Sequence, residues 1–246
     1  MSTLTYTRFE LLRTVRNRQS MIFSVGFPIV MYFMLAGLTS GNDFEKTTGI
    51  KSSQYYMVGL LSFGAMVAVL SGGARIAAER TIGWNRQLRL TPLSAYGYLR
   101  AKVVSSYVMA LATIALLYAA GIIMGVRLPF GDWLEMTGLI IVALVPFAAL
   151  GIGLGHLLND DAVGAAIGGG VGLLAFLGGT WFPITGGGFF VNLCQSLPSY
   201  WLVQAGHVGL GAGNAWGVKA WIVITAWSVA AVAFATWAYR RDTKRV

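Results

Sequence analysis

The chain has 246 residues, of which 56% are hydrophobic and only 11% are charged, and its formal net charge is +9. A soluble domain carries about a quarter charged residues, so this composition predicts a membrane protein. The basic residues lie between long apolar runs rather than on one face of a polar fold, which argues against binding to nucleic acid. The single cysteine, Cys194, excludes an intrachain disulfide and a cysteine-rich metal site.

The N-terminal segment, residues 1–19, mixes apolar and basic side chains at helical spacing. Phe9 and Leu12 share one face of such a helix, whereas Arg8 and Arg13 point towards other faces. This pattern predicts an amphipathic helix that lies on the inner leaflet of the membrane, with its cations near anionic lipid headgroups. The alternative is a frayed basic tail.

Six apolar runs each have about the length that a helix needs to cross the hydrocarbon core of a bilayer. Because the runs are continuous and show no strand alternation, they predict helices rather than a β-barrel. The predicted spans are residues 21–38, 55–74, 103–126, 136–158, 162–183 and 220–239. Within these bounds there is no Asp, Glu, Lys or Arg, which argues against a proton- or sodium-coupled carrier.

The Lys and Arg residues are distributed unevenly over the segments that connect the spans. With the N-terminus in the cytoplasm, the cytoplasmic segments hold fourteen of these residues and the outer segments hold four. The positive-inside rule therefore predicts that both termini are cytoplasmic. Tyr55, Trp133 and Trp237 lie near predicted span ends, as expected of an aromatic belt.

The cytoplasmic segment between the second and third spans carries many charges. Residues 79–90 predict a helix of about three turns that ends before Thr91 and Pro92, because proline disfavours helical geometry in the residue before it. Thr91 or Ser94 is then expected to cap the helix that leads into the third span.

This predicted helix has one basic face and one apolar face. Arg86 and Arg89 are three residues apart and share a face, whereas Trp84 and Leu88 share another. Such a pair of faces suits docking into a groove on a partner protein. The alternative is a basic loop that lies on lipid headgroups, since the same cations serve both purposes.

The connection between the fourth and fifth spans, residues 159–161, is short enough to require a tight helical hairpin. Asp160 or Asp161 is predicted to cap the fifth span and to interact favourably with its dipole. A paired-carboxylate site is the alternative, but no further acidic residue or His accompanies them. His156 lies near the end of the fourth span and is a functional candidate because ionisable residues within a membrane often have a function, although a packing role is favoured.

Glycine residues at a spacing of four recur along the third, fourth and fifth spans. In lipid, this spacing lets helix backbones approach closely, so it predicts packing of these three spans within the chain. The pairs are Gly121 with Gly125, Gly151 with Gly155, Gly164 with Gly168, and Gly168 with Gly172.

The outer segment of residues 184–216 contains no Asp, Glu, Lys or Arg and is rich in aromatic and aliphatic residues. It is interrupted by glycines and by Pro198, so it does not form a clean span. We expect short helices that re-enter the outer leaflet and are shielded by protein. The alternative, a seventh span, would place the basic C-terminus outside and conflicts with the distribution of charge.

The sequence offers no grouping of residues that would support catalysis, no metal-ligand spacing, and no Lys in the Walker spacing after a glycine-rich stretch. No catalytic residue, metal or cofactor is therefore predicted in this chain. Energy for any active process would have to come from a partner.

These features together resemble the membrane (permease) subunit of bacterial type-2 ATP-binding cassette (ABC) transporters, which include drug and antibiotic exporters. The resemblance covers nearly the whole chain and rests on four stretches. They are "RTVRNRQSMIFSVGFPIVMY", "ERTIGWNRQLRLTPLSAYGYLRAK", "GGTWFPI" and "LPSYWLVQAG". The second stretch, with an acidic residue and a glycine ahead of "RLTPLS", is the most specific.

The resemblance implies a single transmembrane domain, residues 1–246, with six spanning helices in the bacterial cytoplasmic membrane. It also implies a second permease copy, either identical or related, and two cytoplasmic ABC ATPase subunits that hold ATP and Mg. Residues 79–90 would be the coupling helix, and residues 184–216 would contain the re-entrant helices.

Three sets of site residues follow from this resemblance. The coupling set is Glu79, Arg80, Gly83, Trp84, Arg86 and Arg89. The candidate substrate pathway is Ser62, Phe63, Met66, Phe176 and Thr180. The outer gate and re-entrant set is Trp181, Pro183, Pro198, Tyr200 and Trp201.

The pathway residues are apolar with a few hydroxyl groups and include no charged filter. They favour efflux of an amphipathic drug, antibiotic or lipid-like substrate, driven by ATP. Two alternatives stay open: export of a polysaccharide or glycolipid, and an ATPase-linked sensor or immunity complex that moves no solute.

Overall fold

The computed structural model describes residues 3–39, 45, 49–84, 87, 93–184, 186–211 and 216–243. No β-strand occurs within these ranges. In chain order the helices are α1 (Thr3–Arg16), α2 (Arg18–Met21), a π-helical turn (Ile22–Gly26), α3 (Phe27–Leu38), α4 (Ser52–Thr81), α5 (Ala95–Ile123), α6 (Phe130–Ala143), α7 (Val145–Leu157), α8 (Asp160–Leu177), α9 (Phe189–Gln195), α10 (Pro198–Val208) and α11 (Val218–Thr243).

Six helical segments are long and apolar enough to cross a membrane. They are Arg18–Leu38, Ser52–Thr81, Ala95–Ile123, Phe130–Leu157, Asp160–Leu177 and Val218–Asp242. These correspond one to one with the six predicted spans, so the predicted all-α fold with six spanning helices is confirmed. Below, "first span" to "sixth span" refer to these segments.

The span boundaries differ from the predicted ones where charged residues lie. The second span continues to Thr81 and the third begins at Ala95, whereas the prediction ended one at residue 74 and began the other at 103. Arg75, Glu79 and Lys102 therefore lie within spanning helices, and the expectation that the spans carry no charge is wrong at these ends. The charges are accommodated because they pair with one another inside the protein, as described below.

The second span lies at the centre of the bundle. It contacts the first, third, fourth and fifth spans as well as α10. Met57, Leu60 and Leu61 on this helix are fully buried. By contrast, the first, fifth and sixth spans present large exposed side chains such as Val30 and Ile222, as expected of helices that face lipid or another subunit.

Close backbone packing joins the second and fourth spans. A Cβ atom added to Gly73 or Gly155 would clash with the backbone of the other helix, so the predicted packing of Gly151 and Gly155 is found here. The partner is the second span rather than the third or fifth. Gly164 and Gly168 of the fifth span have open space beside them, and the predicted packing of this pair within the chain is wrong.

The structure shows which residues cap the third and fifth spans. Ser94 caps the third span, because its side chain accepts a hydrogen bond from the Gly97 amide at 3.1 Å. The fifth span is capped by Asn159, whose side-chain oxygen accepts from the Ala162 amide at 2.9 Å. The prediction of an Asp160 or Asp161 cap is therefore wrong. These residues lie one and two positions after the cap, in the first helical turn, where they still complement the helix dipole.

The outer segment forms two short helices, α9 and α10, between the fifth and sixth spans. They contain 7 and 11 residues, which is too few to cross a bilayer, so the alternative of a seventh span is not supported. Helix α10 is largely buried and packs against α6 and the second span. Its re-entry into the membrane stays a prediction.

Candidate functional site

Charged side chains gather at the end of the bundle where the second span finishes and the third begins. We call this the charged end, and the end that contains Tyr55 and α10 the opposite end. Two polar groups occupy the charged end, and each includes one of two consecutive residues in the last turn of the second span, Glu79 and Arg80.

The first group, which we call the buried ion cluster, consists of Glu10, Arg75, Glu79 and Lys102 with Arg13 and Tyr98 around it. Lys102 is its centre and is 0% exposed. Its Nζ atom donates to Oε1 of Glu10 at 2.7 Å and to Oε1 of Glu79 at 2.6 Å. The cluster therefore joins α1, the second span and the third span.

Two neighbours complete the environment of Glu79. The Tyr98 hydroxyl donates to Oε2 of Glu79 at 2.6 Å, and Nη1 of Arg13 lies 2.5 Å from Oε1. The Arg13 side chain is 49% exposed, so this contact lies at the edge of the cluster. Glu79 thus has three partners on two other helices and no contact with solvent.

Arg75 balances the second carboxylate. Its Nε atom lies 3.4 Å from Oε1 of Glu10, and its Nη2 atom donates to the hydroxyls of Ser105 and Ser106 at 3.3 and 3.0 Å. Two buried carboxylates are therefore matched by two buried cations and by Arg13 at the edge. A buried charge that loses its partner costs about 3–5 kcal/mol, so this cluster requires all its members.

Tyr6 extends the cluster along α1. Its ring lies 6.1 Å from the ring of Tyr98. Burial raises the pKa of the Tyr6 hydroxyl, and the negative charges of Glu79 and Glu10 raise it further. The residue is therefore a neutral hydroxyl at physiological pH, and α1 adds no further negative charge to the cluster.

The second group, which we call the Arg80 clamp, consists of Arg80, Asp242, His156 and the carbonyl oxygens of Gly155 and Leu158. Nε and Nη2 of Arg80 lie 3.0 and 2.8 Å from Oδ1 of Asp242. Its Nη1 atom donates to the carbonyls of Gly155 and Leu158 at 2.9 and 3.1 Å. The clamp joins the ends of the second, fourth and sixth spans.

The predicted coupling residues lie in three different places: in the second span, directly after it, and outside the described residues. Glu79 and Arg80 belong to the last turn of the second span, which ends at Thr81, rather than to a separate helix that begins at residue 79. Gly83 adopts a left-handed conformation with φ of 72°, which is typical of a glycine that ends a helix. Trp84 is 36% exposed.

The remaining coupling residues, Arg86 and Arg89, lie outside the described residues. The assignment of residues 79–90 as a coupling helix therefore stays a prediction. What the structure adds is the set of partners of Glu79 and Arg80 at its start.

The predicted pathway residues do not line one surface within a single chain. Ser62 and Met66 are buried, and the Ser62 hydroxyl donates to the carbonyl of Leu202 at 3.3 Å. Phe63 packs with its ring 5.7 Å from that of Trp181. Thr180 is buried against Gly59 of the second span, whereas Phe176 is exposed on the fifth span.

The predicted outer gate residues lie at the opposite end. Pro198 begins α10, and Tyr200 and Trp201 follow it into the core. The indole nitrogen of Trp201 donates to the carbonyl of Gln195 at 2.9 Å, which ties α10 to α9. Trp181 and Pro183 lie just beyond the fifth span and are partly buried.

Sequence reasoning missed Glu10, Lys102 and Asp242 as partners of the coupling residues. The separation along the chain ranges from 23 residues, for Lys102 and Glu79, to 162 residues, for Asp242 and Arg80. A signal was present for two of them: Lys102 and Asp242 lie next to apolar runs, and a charged residue there needs an opposite charge when it is buried. The described residues contain no group of three or more His, Cys, Asp and Glu that could hold a metal ion.

Six apolar spanning helices, one of them buried at the centre of the bundle, with charge gathered at one end, define a multi-pass membrane protein. Residues 41–239 match the model of the family described as ABC-2 family transporter protein, and the chain belongs to this family. It is similar to a protein of Bacillus subtilis (strain 168) whose printed name is "Putative transport permease YvfS". The two are 28% identical over 207 residues, which cover 82% of this chain and 80% of the relative.

Family membership confirms the resemblance stated from the sequence. It supports the role of a transport permease, a membrane subunit rather than an enzyme, and it implies partnership with an ABC ATPase subunit.

Proposed function

We propose that this chain is the transmembrane subunit of an ATP-driven exporter, with ATP hydrolysed on separate ABC ATPase subunits. The observation that supports this most directly is the position of Glu79 and Arg80. They are adjacent at the end of the second span, and each is held by a different set of helices. A force applied just beyond them would reach α1 and the third, fourth and sixth spans.

In this proposal the ATPase docks on residues 79–90, with Trp84, Arg86 and Arg89 in contact with it. ATP and Mg bind to the ATPase and close it, and the docked segment moves. The buried ion cluster passes the motion to α1 and the third span, whereas the Arg80 clamp passes it to the fourth and sixth spans. Both groups consist of short, charge-assisted contacts, which are stronger than hydrogen bonds between neutral groups.

We place the charged end and both termini in the cytoplasm of a bacterial cell membrane. Support comes from the excess of Lys and Arg on the segments at that end. Helix α1 exposes Leu4, Phe9 and Leu12 while it buries Glu10 against the bundle, which suits contact with the lipid surface.

We propose two permease copies and two ATPase subunits in each transporter, with the second permease either identical or related. The first, fifth and sixth spans have large exposed apolar faces that a second permease copy would partly cover. A substrate route between the copies would be bordered by Phe63, Phe176 and Trp181. These apolar groups, with few hydroxyls, favour efflux of an amphipathic drug, antibiotic or lipid-like substrate.

Export of a glycolipid or polysaccharide is a second candidate. Phe27, Phe63 and Trp181 form an aromatic group with ring centroids 5.7 to 6.3 Å apart, and aromatic surfaces suit stacking against sugar rings. Phe27, on the first span, is the member of this group that is more than one third exposed. A sugar ring would therefore contact the group through the Phe27 side chain.

The test is reconstitution of the chain with candidate ABC ATPase subunits from the same genome. We expect one ATPase to co-purify with the chain, and we expect compounds of one class (amphipathic drugs or glycolipids) to stimulate ATP hydrolysis and to accumulate in inverted vesicles. Stimulated hydrolysis without accumulation would favour a sensor over an exporter. If no ATPase co-purifies or responds to the chain, the proposed function is wrong.

A further inference from the structure

The guanidinium group of Arg80 is fully used by two different helices. One edge, formed by Nε and Nη2, contacts Oδ1 of Asp242 in the sixth span. The remaining nitrogen, Nη1, donates to two carbonyls at the end of the fourth span, where helix carbonyls lack partners within the helix. Arg80 therefore both caps the fourth span and holds the sixth.

Asp242 is used just as completely. Its Oδ1 atom accepts from Arg80, and its Oδ2 atom accepts from Nδ1 of His156 at 2.9 Å. The His156 ring also lies 5.2 Å from the ring of Tyr239, one turn before Asp242 on the sixth span. The carboxylate thus orients the guanidinium from one side and fixes the end of the fourth span from the other.

Glycine residues near the Arg80 clamp also let the fourth span pack between the second and sixth spans. Gly151 and Gly155 touch the backbone of the second span on one side. On another side, a Cβ atom added to Gly153 would lie 2.5 Å from the ring of Phe234 in the sixth span. The apolar packing and the polar clamp therefore connect the same three helices, by independent contacts.

We propose that Asp242 is a positioning residue: it holds Arg80 so that the second, fourth and sixth spans move as one body when the ATPase acts. This inference rests on the proposed function and adds a role for the end of the sixth span. Without the carboxylate, Arg80 keeps its carbonyl contacts to the fourth span but loses its contact with the sixth. The sixth span is then joined to the fourth by apolar packing and has no polar link to the second span through Arg80.

The experiment measures the distance between a spin label directly after the second span and one on the sixth span. Labels are placed at Ile82 and Thr236, which are both exposed, in a chain whose single cysteine is replaced by Cys194→Ala. The permease–ATPase complex is studied in nanodiscs, both nucleotide-free and trapped with ATP and vanadate. With Asp242 intact, we expect the same distance in both states.

In the Asp242→Asn variant we expect the distance to differ between the states by roughly 2–5 Å, within the range of helix shifts in switching transitions. Asp242→Glu, which keeps a carboxylate, should restore the state-independent distance. Asp161→Asn makes the same substitution at an exposed residue in the first turn of the fifth span and should behave like the unchanged chain. Basal ATP hydrolysis checks that each complex is intact.

Two results would overturn the proposal: a distance that already changes between states with Asp242 present, or an Asp242→Asn variant with no state-dependent change. If the unchanged chain forms no trapped complex with any ATPase, the proposed function has failed instead, and this inference fails with it.

Discussion

The two ends of the second span are held by different chemistry. At the charged end, Glu79 and Arg80 make ion pairs to the third span, the sixth span and α1. Arg80 also donates to two carbonyls at the end of the fourth span. At the opposite end, the Tyr55 hydroxyl donates to the carbonyl of Gly179, and Gly59 and Gly206 allow close approach to neighbouring helices. In a membrane, apolar burial alone does little to bring helices together, so each end needs its own specific contacts.

The contacts at the two ends differ in how strongly they depend on geometry and in how much stability their loss costs. Ion pairs are strong and depend on geometry, and a buried charge without its partner is severely destabilising. Backbone contacts and aromatic packing are weaker singly and are spread over many atoms. The contacts at the charged end are therefore few, strong and directional, whereas those at the opposite end are many and individually weak.

The largest effect should come from removal of the central cation. Lys102→Met leaves Glu10 and Glu79 buried without their shared partner, and we expect the free energy of unfolding to fall by about 3–5 kcal/mol. Thermal melting in detergent micelles measures this loss. The matched control is Arg100→Met, an exposed cation on the same helix, which should change stability by less than about 1 kcal/mol.

A double variant sharpens this first prediction. The double variant Lys102→Met, Glu79→Gln should lose less free energy of unfolding than the two single variants lose together. The reason is that the two neutral side chains leave no uncompensated charge at position 79. Strict additivity would contradict the description of the cluster as one unit.

The second prediction uses pH to force a charge into the opposite end. His207 in α10 is buried beside Tyr55, and burial lowers its pKa from 6.5 to about 4. Between these values the unfolded chain binds a proton that the folded chain does not, so stability falls as the pH drops from about 6.5 to about 4. The loss should reach about 3 kcal/mol at the lower limit.

The measurement is a comparison with His207→Gln, which has no group that titrates at this position. The melting temperature of this variant should depend less on pH between 6.5 and 4 than that of the unchanged chain. Equal slopes would show that His207 is not the group responsible.

The third prediction makes the same substitution at both ends. Tyr98→Phe removes a hydrogen bond to the charged Glu79, and we expect a loss of about 2 kcal/mol. Tyr55→Phe removes a hydrogen bond to a neutral carbonyl, and we expect a loss of about 1 kcal/mol. Chemical or thermal unfolding of both variants tests the order; a larger loss for Tyr55→Phe would reverse the comparison of the two ends.

The smallest effect belongs to the edge of the buried ion cluster. Arg13 is half exposed, so Arg13→Gln should lower the free energy of unfolding by no more than about 1 kcal/mol, and less at high salt. Melting curves at low and high ionic strength check this. An effect as large as that of Lys102→Met would mean that Arg13, rather than Lys102, holds Glu79 in place.

Much of the candidate site was visible in the sequence, but its partners were not. Glu79, Arg80 and Gly83 were selected from the stretch between the second and third spans, and they lie where that span ends. Glu10 and Lys102 were known only as members of charged segments. Their pairing depends on how α1 packs against the third span, which local sequence patterns do not encode.

The sequence by itself determined the six spans and the all-helical fold, and it narrowed the cap of the third span to Thr91 or Ser94. Each of these depends on the length of an apolar run or on residues within one turn. Tertiary structure alone decided where the spans end and which charges meet. The second and third spans extend past their apolar runs because Glu79 and Lys102 neutralise each other in the interior. That balance exists only once helices distant in the chain are packed together.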